Sequence, residues 1–152
     1  MKWAIFAVLV VAVLFLAYVR LAGHDPKRWH VDPLTAQKPR KPNSFFLREN
    51  AKAQSKTYAI SAADLAVAFE RIALAAPRTE KLAGSVDEGW VTYVSRTNLL
   101  RYPDYISVRF LDVDGGSQLA IFSRSRYGYS DRGVNKARVQ RWLKRLDEAL
   151  GL

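Results

Sequence analysis

The chain opens on an unbroken apolar run, Trp3–Val19, which reads WAIFAVLVVAVLFLAYV without a charge or a proline. As a helix it rises roughly 26 Å at about 1.5 Å per residue, slightly less than a hydrocarbon core of about 30 Å. Lys2 and Arg20 flank the run and are long enough to snorkel, and Trp3 and Tyr18 sit where interfacial aromatics are favoured. From Ala22 to about Asn50 no helical or strand period is sustained. Asp25-Pro26, Asp32-Pro33 and Lys38-Pro39-Arg40-Lys41-Pro42 favour extended or polyproline backbone there. Pattern then returns. Lys56–Ile60 is a short β-like run. Ser61 with Asp64 three residues on is a helix start, and Leu65, Ala68, Phe69, Ile72 and Ala76 repeat at helical spacing, predicting a helix over Ala62–Ala76 that Pro77 ends.

Strand patterns follow at Thr79–Ser85, Gly89–Thr97 and Tyr105–Asp112. In the last of these Ile106, Val108 and Phe110 face one way and Ser107, Arg109 and Leu111 the other. Asp114-Gly115-Gly116 is a hairpin turn, because glycine takes positive φ without steric cost. Ser117–Arg126 returns as the partner strand, with Leu119 and Ile121 opposite Ala120, Phe122, Arg124 and Arg126. A closing helix from Val134 or Asn135 to Leu150 buries Val139, Trp142, Leu143, Leu146 and Leu150, and its wet side carries Lys136, Arg141, Lys144 and Arg145. Hairpin connections and only two helices predict an α+β fold: an antiparallel sheet of about four or five strands with two helices, preceded by one N-terminal transmembrane helix. The expected organisation is a membrane anchor over 1–21, an extended basic, proline-containing linker over 22–50, and an α+β domain over 51–152.

Composition changes this picture in two ways. There is no cysteine, so disulfides, thiolate metal sites and lipidation through cysteine are all excluded. The net charge of +10 and pI of about 10.1 favour anionic partners: acidic lipid, nucleic acid or an acidic protein face. Lys38, Arg40 and Lys41 suit anionic head groups, although the plain reading of their segment is a tether. Both histidines, His24 and His30, lie in that segment rather than in the predicted domain, and without further ligands nearby they make no metal site. The rival to an anchor is a cleaved export signal, for which Leu21-Ala22-Gly23 is a weak cleavage site. Orientation is pulled both ways. Arg20, Lys27 and Arg28 after the run favour a cytoplasmic body, while the short basic start before it resembles an export signal.

The densest chemistry lies in Ser123–Arg138, SRSRYGYSDRGVNKAR. With sequential pairing, Trp90, Thr92, Val94, Arg96, Ser107, Arg109, Leu111, Phe122, Arg124 and Arg126 share one sheet face. The arginines then gather beside the start of the closing helix, where free N–H groups and the dipole favour an anion. The candidate ligand-binding set is Arg109, Arg124, Arg126, Asp131, Asn135 and Arg138, with Ser125, Gly128 and Gly133 as structural motif positions. The architectural alternative has Arg126 paired to Asp131, Gly128 and Gly133 making turns, and Asn135 capping the helix.

Arg109-Phe110, followed by S-R-S-R-x-G-x-x-D-x-G-V-N-x-x-R-V through Val139, resembles the bacterial and chloroplast domain family of unknown function numbered 1499. The resemblance spans roughly Pro33 to the C-terminus and marks Arg109, Arg124, Ser125, Arg126, Gly128, Asp131, Gly133, Asn135 and Arg138. Members of that family often carry an export or lipoprotein-like leader, which implies a periplasmic body. Here a transmembrane anchor stands in for lipidation, and Arg132 follows Asp131 where an apolar residue is more usual. The family implies no reaction.

Without histidine or cysteine in the predicted domain, the usual nucleophile–base pairs are missing. Asp112-x-Asp114-Gly115 lacks the remaining ligands of a calcium loop. No cofactor is called for. The expectation is a non-catalytic module on the bacterial inner membrane that binds a lipid head group or a phosphorylated or carboxylated ligand. The alternative is an accessory subunit docking a membrane-complex protein through its basic face. Nucleic acid is disfavoured by the anchor and by the lack of a recognised motif.

Overall fold

The computed structural model describes residues 1–48 and 55–152. The N-terminal apolar run lies within helix α1, Lys2–Leu21, which is long and apolar enough to cross a membrane. A single turn, α2 (Pro26–Trp29), follows, with Asp25 capping it through the Lys27 N–H. The remaining elements are β1 (Ser44–Leu47), α3 (Ala62–Ala75), β2 (Thr79–Ser85), β3 (Trp90–Arg96), β4 (Pro103–Val113), β5 (Gly116–Ser125) and α4 (Val134–Ala149). The five strands form one antiparallel sheet in the order β1-β5-β4-β3-β2. The fold is therefore α+β, with two helices on a five-stranded antiparallel sheet and an apolar helix in front.

Local sequence accounts for most boundaries. The Ser61 hydroxyl accepts from the Asp64 N–H at 3.1 Å, and Asp112 accepts from the Ala62 N–H at 2.8 Å, so two of the free donors at the start of α3 are satisfied. The β4–β5 hairpin turns at Asp114-Gly115, and Val113 pairs with Gly116. A Cβ at Gly116 would stand 1.9 Å from the Tyr58 carbonyl oxygen, because Tyr58 bridges to Ser117 at that point. That bridge is all the pairing made by the run expected over Lys56–Ile60, which forms no strand.

One sheet face packs on α3 and α4. Val91, Tyr93, Ile106, Val108, Phe110, Leu119 and Ile121 meet Leu65, Phe69, Val139, Trp142 and Leu146 there. Phe69 lies edge-on to Phe110 and Trp142, with ring centroids 5.8 and 5.9 Å apart, an arrangement favoured by ring quadrupoles.

The opposite face carries Trp90, Thr92, Tyr105, Ser107, Phe122 and Arg124, and the chain before β1 covers it. Trp29 stacks on Tyr105 at 4.0 Å and His30 on Trp90 at 3.8 Å. Pro33, Leu34 and Ala36 turn their carbonyls to the Arg48 guanidinium at 2.6, 3.0 and 3.0 Å. The stretch 22–50 is thus no free tether. Its residues 23–36 form a strap across the sheet, and Ser44–Leu47 is an edge strand paired with β5; residues 49 and 50 lie outside the described residues. The folded body starts well before residue 51.

Candidate functional site

The sheet divides the motif expected to converge. Alternation along β5 sends Ser123 and Ser125 toward α4 and Arg124 and Arg126 toward the strap. The site residues therefore fall into two groups on opposite faces.

On the helix side, Asn135 is a hub. Its side-chain oxygen accepts from the Ser123 hydroxyl at 2.6 Å and from Arg138 Nη1 at 2.9 Å. Its amide nitrogen donates to Asp131 at 2.7 Å, to Ser125 Oγ at 3.0 Å and to the Asn43 carbonyl at 3.2 Å. Asp131 also accepts from the Gly133 and Asn135 N–H groups, at 3.0 and 2.9 Å, so Asp131 rather than Asn135 caps the helix. Gly133, at φ 81°, supplies the N-cap backbone. The Gly128 carbonyl accepts from the Asn43 amide at 3.1 Å. Arg138 Nη2 meets Asp104 at 2.5 Å in a pair that is buried on both sides. Burial pushes the Asp104 carboxyl above the ordinary range, while Arg138 and the Ser125 hydroxyl hold it back in part. Seven side chains, those of Asn43, Asp104, Ser123, Ser125, Asp131, Asn135 and Arg138, thus stitch the start of β1, β4, β5 and α4 together through bonds to one another and to nearby backbone.

On the strap side, Arg124 is only 5% exposed. Its Nη1 donates to Ser107 Oγ and the Phe122 carbonyl, both at 3.1 Å, and its Nη2 donates to the Trp29 carbonyl of the strap. The guanidinium lies over Phe122 at 4.4 Å, with Trp29 and Tyr105 also near. Among the described residues no carboxylate lies within ion-pair distance of it. Burial pulls its pKa down to about 10, so it stays charged at neutral pH. Arg126 donates to the Gly23 carbonyl at 2.9 Å and reaches the Tyr105 hydroxyl at 3.4 Å, rather than pairing with Asp131. Arg109 stands several residues away along the strand, over Trp90 and 3.8 Å from Asp32. Its expected cluster with Arg124 does not form, because Arg109 pairs in register with Ala120 and Arg124 with Tyr105.

A larger gathering of arginines lies elsewhere. A cavity of about 420 Å³ is bounded by the end of α3, the end of β3 and the side of α4 that carries Val134, Arg138, Arg141, Trp142 and Arg145. Arg78, Arg96, Arg138, Arg141 and Arg145 line it with Ser95, Thr97 and Asn98, and no carboxylate is among the lining residues. Arg138, Arg141 and Arg145 share a helix face by their three- and four-residue spacing. That spacing is the available signal for Arg141 and Arg145, which the helix pattern otherwise assigns to a solvated side. Arg78 and Arg101 sit in left-handed backbone, at φ 58° and 59°. A second recess is bordered by Arg20, Arg96 and Arg101, so the end of α1 adjoins the same region. Arg96 Nη2 also lies 2.5 Å from His24 Nε2.

The family described as protein of unknown function (DUF1499) matches residues 35–146. The chain belongs to this family. The DUF1499 match starts inside the expected linker and takes in β1, the whole sheet and most of α4. A crystal structure of protein CV1439 from Chromobacterium violaceum is similar at a TM-score of 0.48 and 13% identity, covering 69% of this chain and 95% of that one. No curated protein matches the chain.

Proposed function

We propose that this DUF1499 protein is a membrane-anchored, non-catalytic module that binds a phosphate or carboxylate group in the arginine cavity beside α4. The observation that carries this reading is the lining: five arginines and no carboxylate, of which Arg138 is paired with Asp104 and Arg96 is bonded to His24, while Arg78, Arg141 and Arg145 have no carboxylate partner among the described residues. Planar guanidinium forks suit such ligands, and partial enclosure strengthens the attraction. The cavity side chains include no nucleophile with a neighbouring base, which favours binding over reaction. In this reading α1 is the anchor in a bacterial inner membrane, and the body lies on the periplasmic side, in keeping with the short basic start before the apolar block.

The full-length protein in neutral detergent tests it. Pyrophosphate, at an ionic strength matched with chloride, is expected to raise the melting temperature, since a ligand at about 100 times its Kd stabilises by about 2.7 kcal/mol. Arg141→Ala with Arg145→Ala should abolish the rise. Equal rises in both proteins would end the proposal. A stoichiometric acidic protein co-purifying in place of the pyrophosphate response would favour the accessory-subunit reading. A C-terminal reporter active only outside the cytoplasm tests the side.

A further inference from the structure

Two loop tips and the last turn of α1 meet at one end of the sheet. The loop from β3 to β4 carries Leu99, 82% exposed, with Leu100 beside it, and the loop from β5 to α4 carries Tyr129, 72% exposed. The loops are neighbours: the Tyr102 and Tyr127 rings are 5.8 Å apart, and residues of both line one small cavity. The end of α1 packs here. Val19 is its one buried residue, Tyr18 approaches Tyr127, and Arg20 shares its recess with Arg96 and Arg101. Scattered exposed leucines need no explanation in a soluble protein. Here, however, they converge with arginines on the end of a helix that can enter a bilayer.

We infer that this end of the body docks on an anionic bilayer surface. Leu99, Leu100 and Tyr129 enter the head-group region, and Arg20, Arg101 and Arg132 meet lipid phosphates. The inference rests on reading α1 as an anchor. The last turn of a membrane helix lies at head-group depth, so whatever packs against that turn lies there too. Apolar tips ringed by guanidinium groups have the composition of an interfacial contact: apolar area partitions into the acyl boundary while the charges hold phosphates. Arg96 borders both this recess and the arginine cavity, so docking also brings the cavity toward the head groups.

The cysteine-free chain makes the test direct. Full-length protein carrying Leu99→Cys is labelled with an environment-sensitive dye and reconstituted into phosphatidylcholine vesicles, with and without phosphatidylglycerol. Asp114→Cys, at the hairpin turn between β4 and β5, is the control. With phosphatidylglycerol the dye at position 99 should shift to the blue and be quenched by shallow spin-labelled lipid, while the control stays aqueous. Adding Arg101→Ala should lower the docked-to-free ratio about fivefold, the effect of about 1 kcal/mol per surface charge. To exclude insertion by the dye itself, Tyr129→Cys is read with and without Leu99→Asp, which should reduce its quenching. Protein that resists alkaline extraction yet leaves the dye aqueous overturns the docking alone. Protein that is extracted by alkali overturns the anchor and the docking together. Equal quenching in both lipid mixtures overturns the role given to anionic lipid.

Discussion

The two faces of the sheet are closed by different physics. The helix face is sealed by apolar volume: Phe69, Tyr93, Phe110 and Trp142 interlock, and most of their neighbours are fully buried aliphatics. The strap face is sealed by a short, irregular segment held through stacked rings, arginine bonds to carbonyls and two histidines. Apolar burial scales with area and depends little on pH, whereas polar closure depends on the protonation of a few groups. One sheet therefore has a permanent side and a conditional side.

The largest effects are expected on the permanent side. Phe69→Ala should cost about 3–5 kcal/mol in denaturant unfolding, by lost transfer energy plus a cavity. Arg138→Ala should cost a similar ~3–5 kcal/mol, because Asp104 would be left buried and unpaired. Arg138→Met combined with Asp104→Leu should recover most of that loss, as apolar replacements of buried pairs often do. If the double variant is no better than the single one, the Asn135 hub rather than the ion pair holds this corner. On the conditional side Trp29→Ala should cost less, about 1–2 kcal/mol, since the ring is only partly buried and its main contact is one stack on Tyr105. Hydrogen exchange should place the damage in residues 23–36 and β4, with α3 and α4 unchanged. A loss as large as that of Phe69→Ala would erase the contrast between the faces.

The same contrast explains how much was legible in the sequence. The helix face announces itself through period: Ile106, Val108 and Phe110 alternate, and Leu65 and Phe69 recur at helical spacing, so strands, helices and inward sides follow from pattern. The strap has no period to read. Its bonds run from Arg124 and Arg126 to the carbonyls of Trp29 and Gly23, and any residue type supplies a carbonyl. Its prolines were consistent with an extended segment, which it largely is, but nothing in them indicates that it lies on the sheet. Ser123–Arg138 was recognisable as a unit, yet strand alternation puts its arginines on two faces, and that division is visible only once β5 is seen between α4 and the strap. The arginine cavity as a whole has no such signal, because the turn at Arg78, the end of β3 and the Arg138, Arg141 and Arg145 side of α4 meet only in the fold, and the pattern assigns Arg96 to the sheet face of Arg109 and Arg124 instead.

The smallest expected effect tests the conditional side most directly. His24 Nε2 faces the Arg96 guanidinium, which can only donate, so Nε2 accepts and Nδ1 carries the proton toward the Tyr105 hydroxyl at 2.8 Å. His30 Nδ1 meets Thr92 Oγ1 at 2.8 Å; Thr92 meets Ser107 at 2.9 Å, and Ser107 accepts from Arg124. With each hydroxyl donating onward, His30 Nδ1 is an acceptor. Both imidazoles are therefore held neutral and their pKa values lowered, first by burial. For His24, Arg96 and Arg126 add to the lowering and Glu80 opposes it; for His30, Arg124 and Arg109 add to it against Glu88 and Asp32. In the unfolded chain the imidazoles take up protons near the ordinary value of about 6.5. The unfolded state thus binds more protons as pH falls through that value, so stability is complete above about 6.5 and declines below it toward the lowered folded values. Exchange protection of residues 23–36 should fall between pH 7 and 5 while that of α3 holds. His24→Gln with His30→Gln should flatten the dependence in that window. A strap equally protected at both pH values in the native protein would mean that stacking alone closes this face, and that the histidines are passengers.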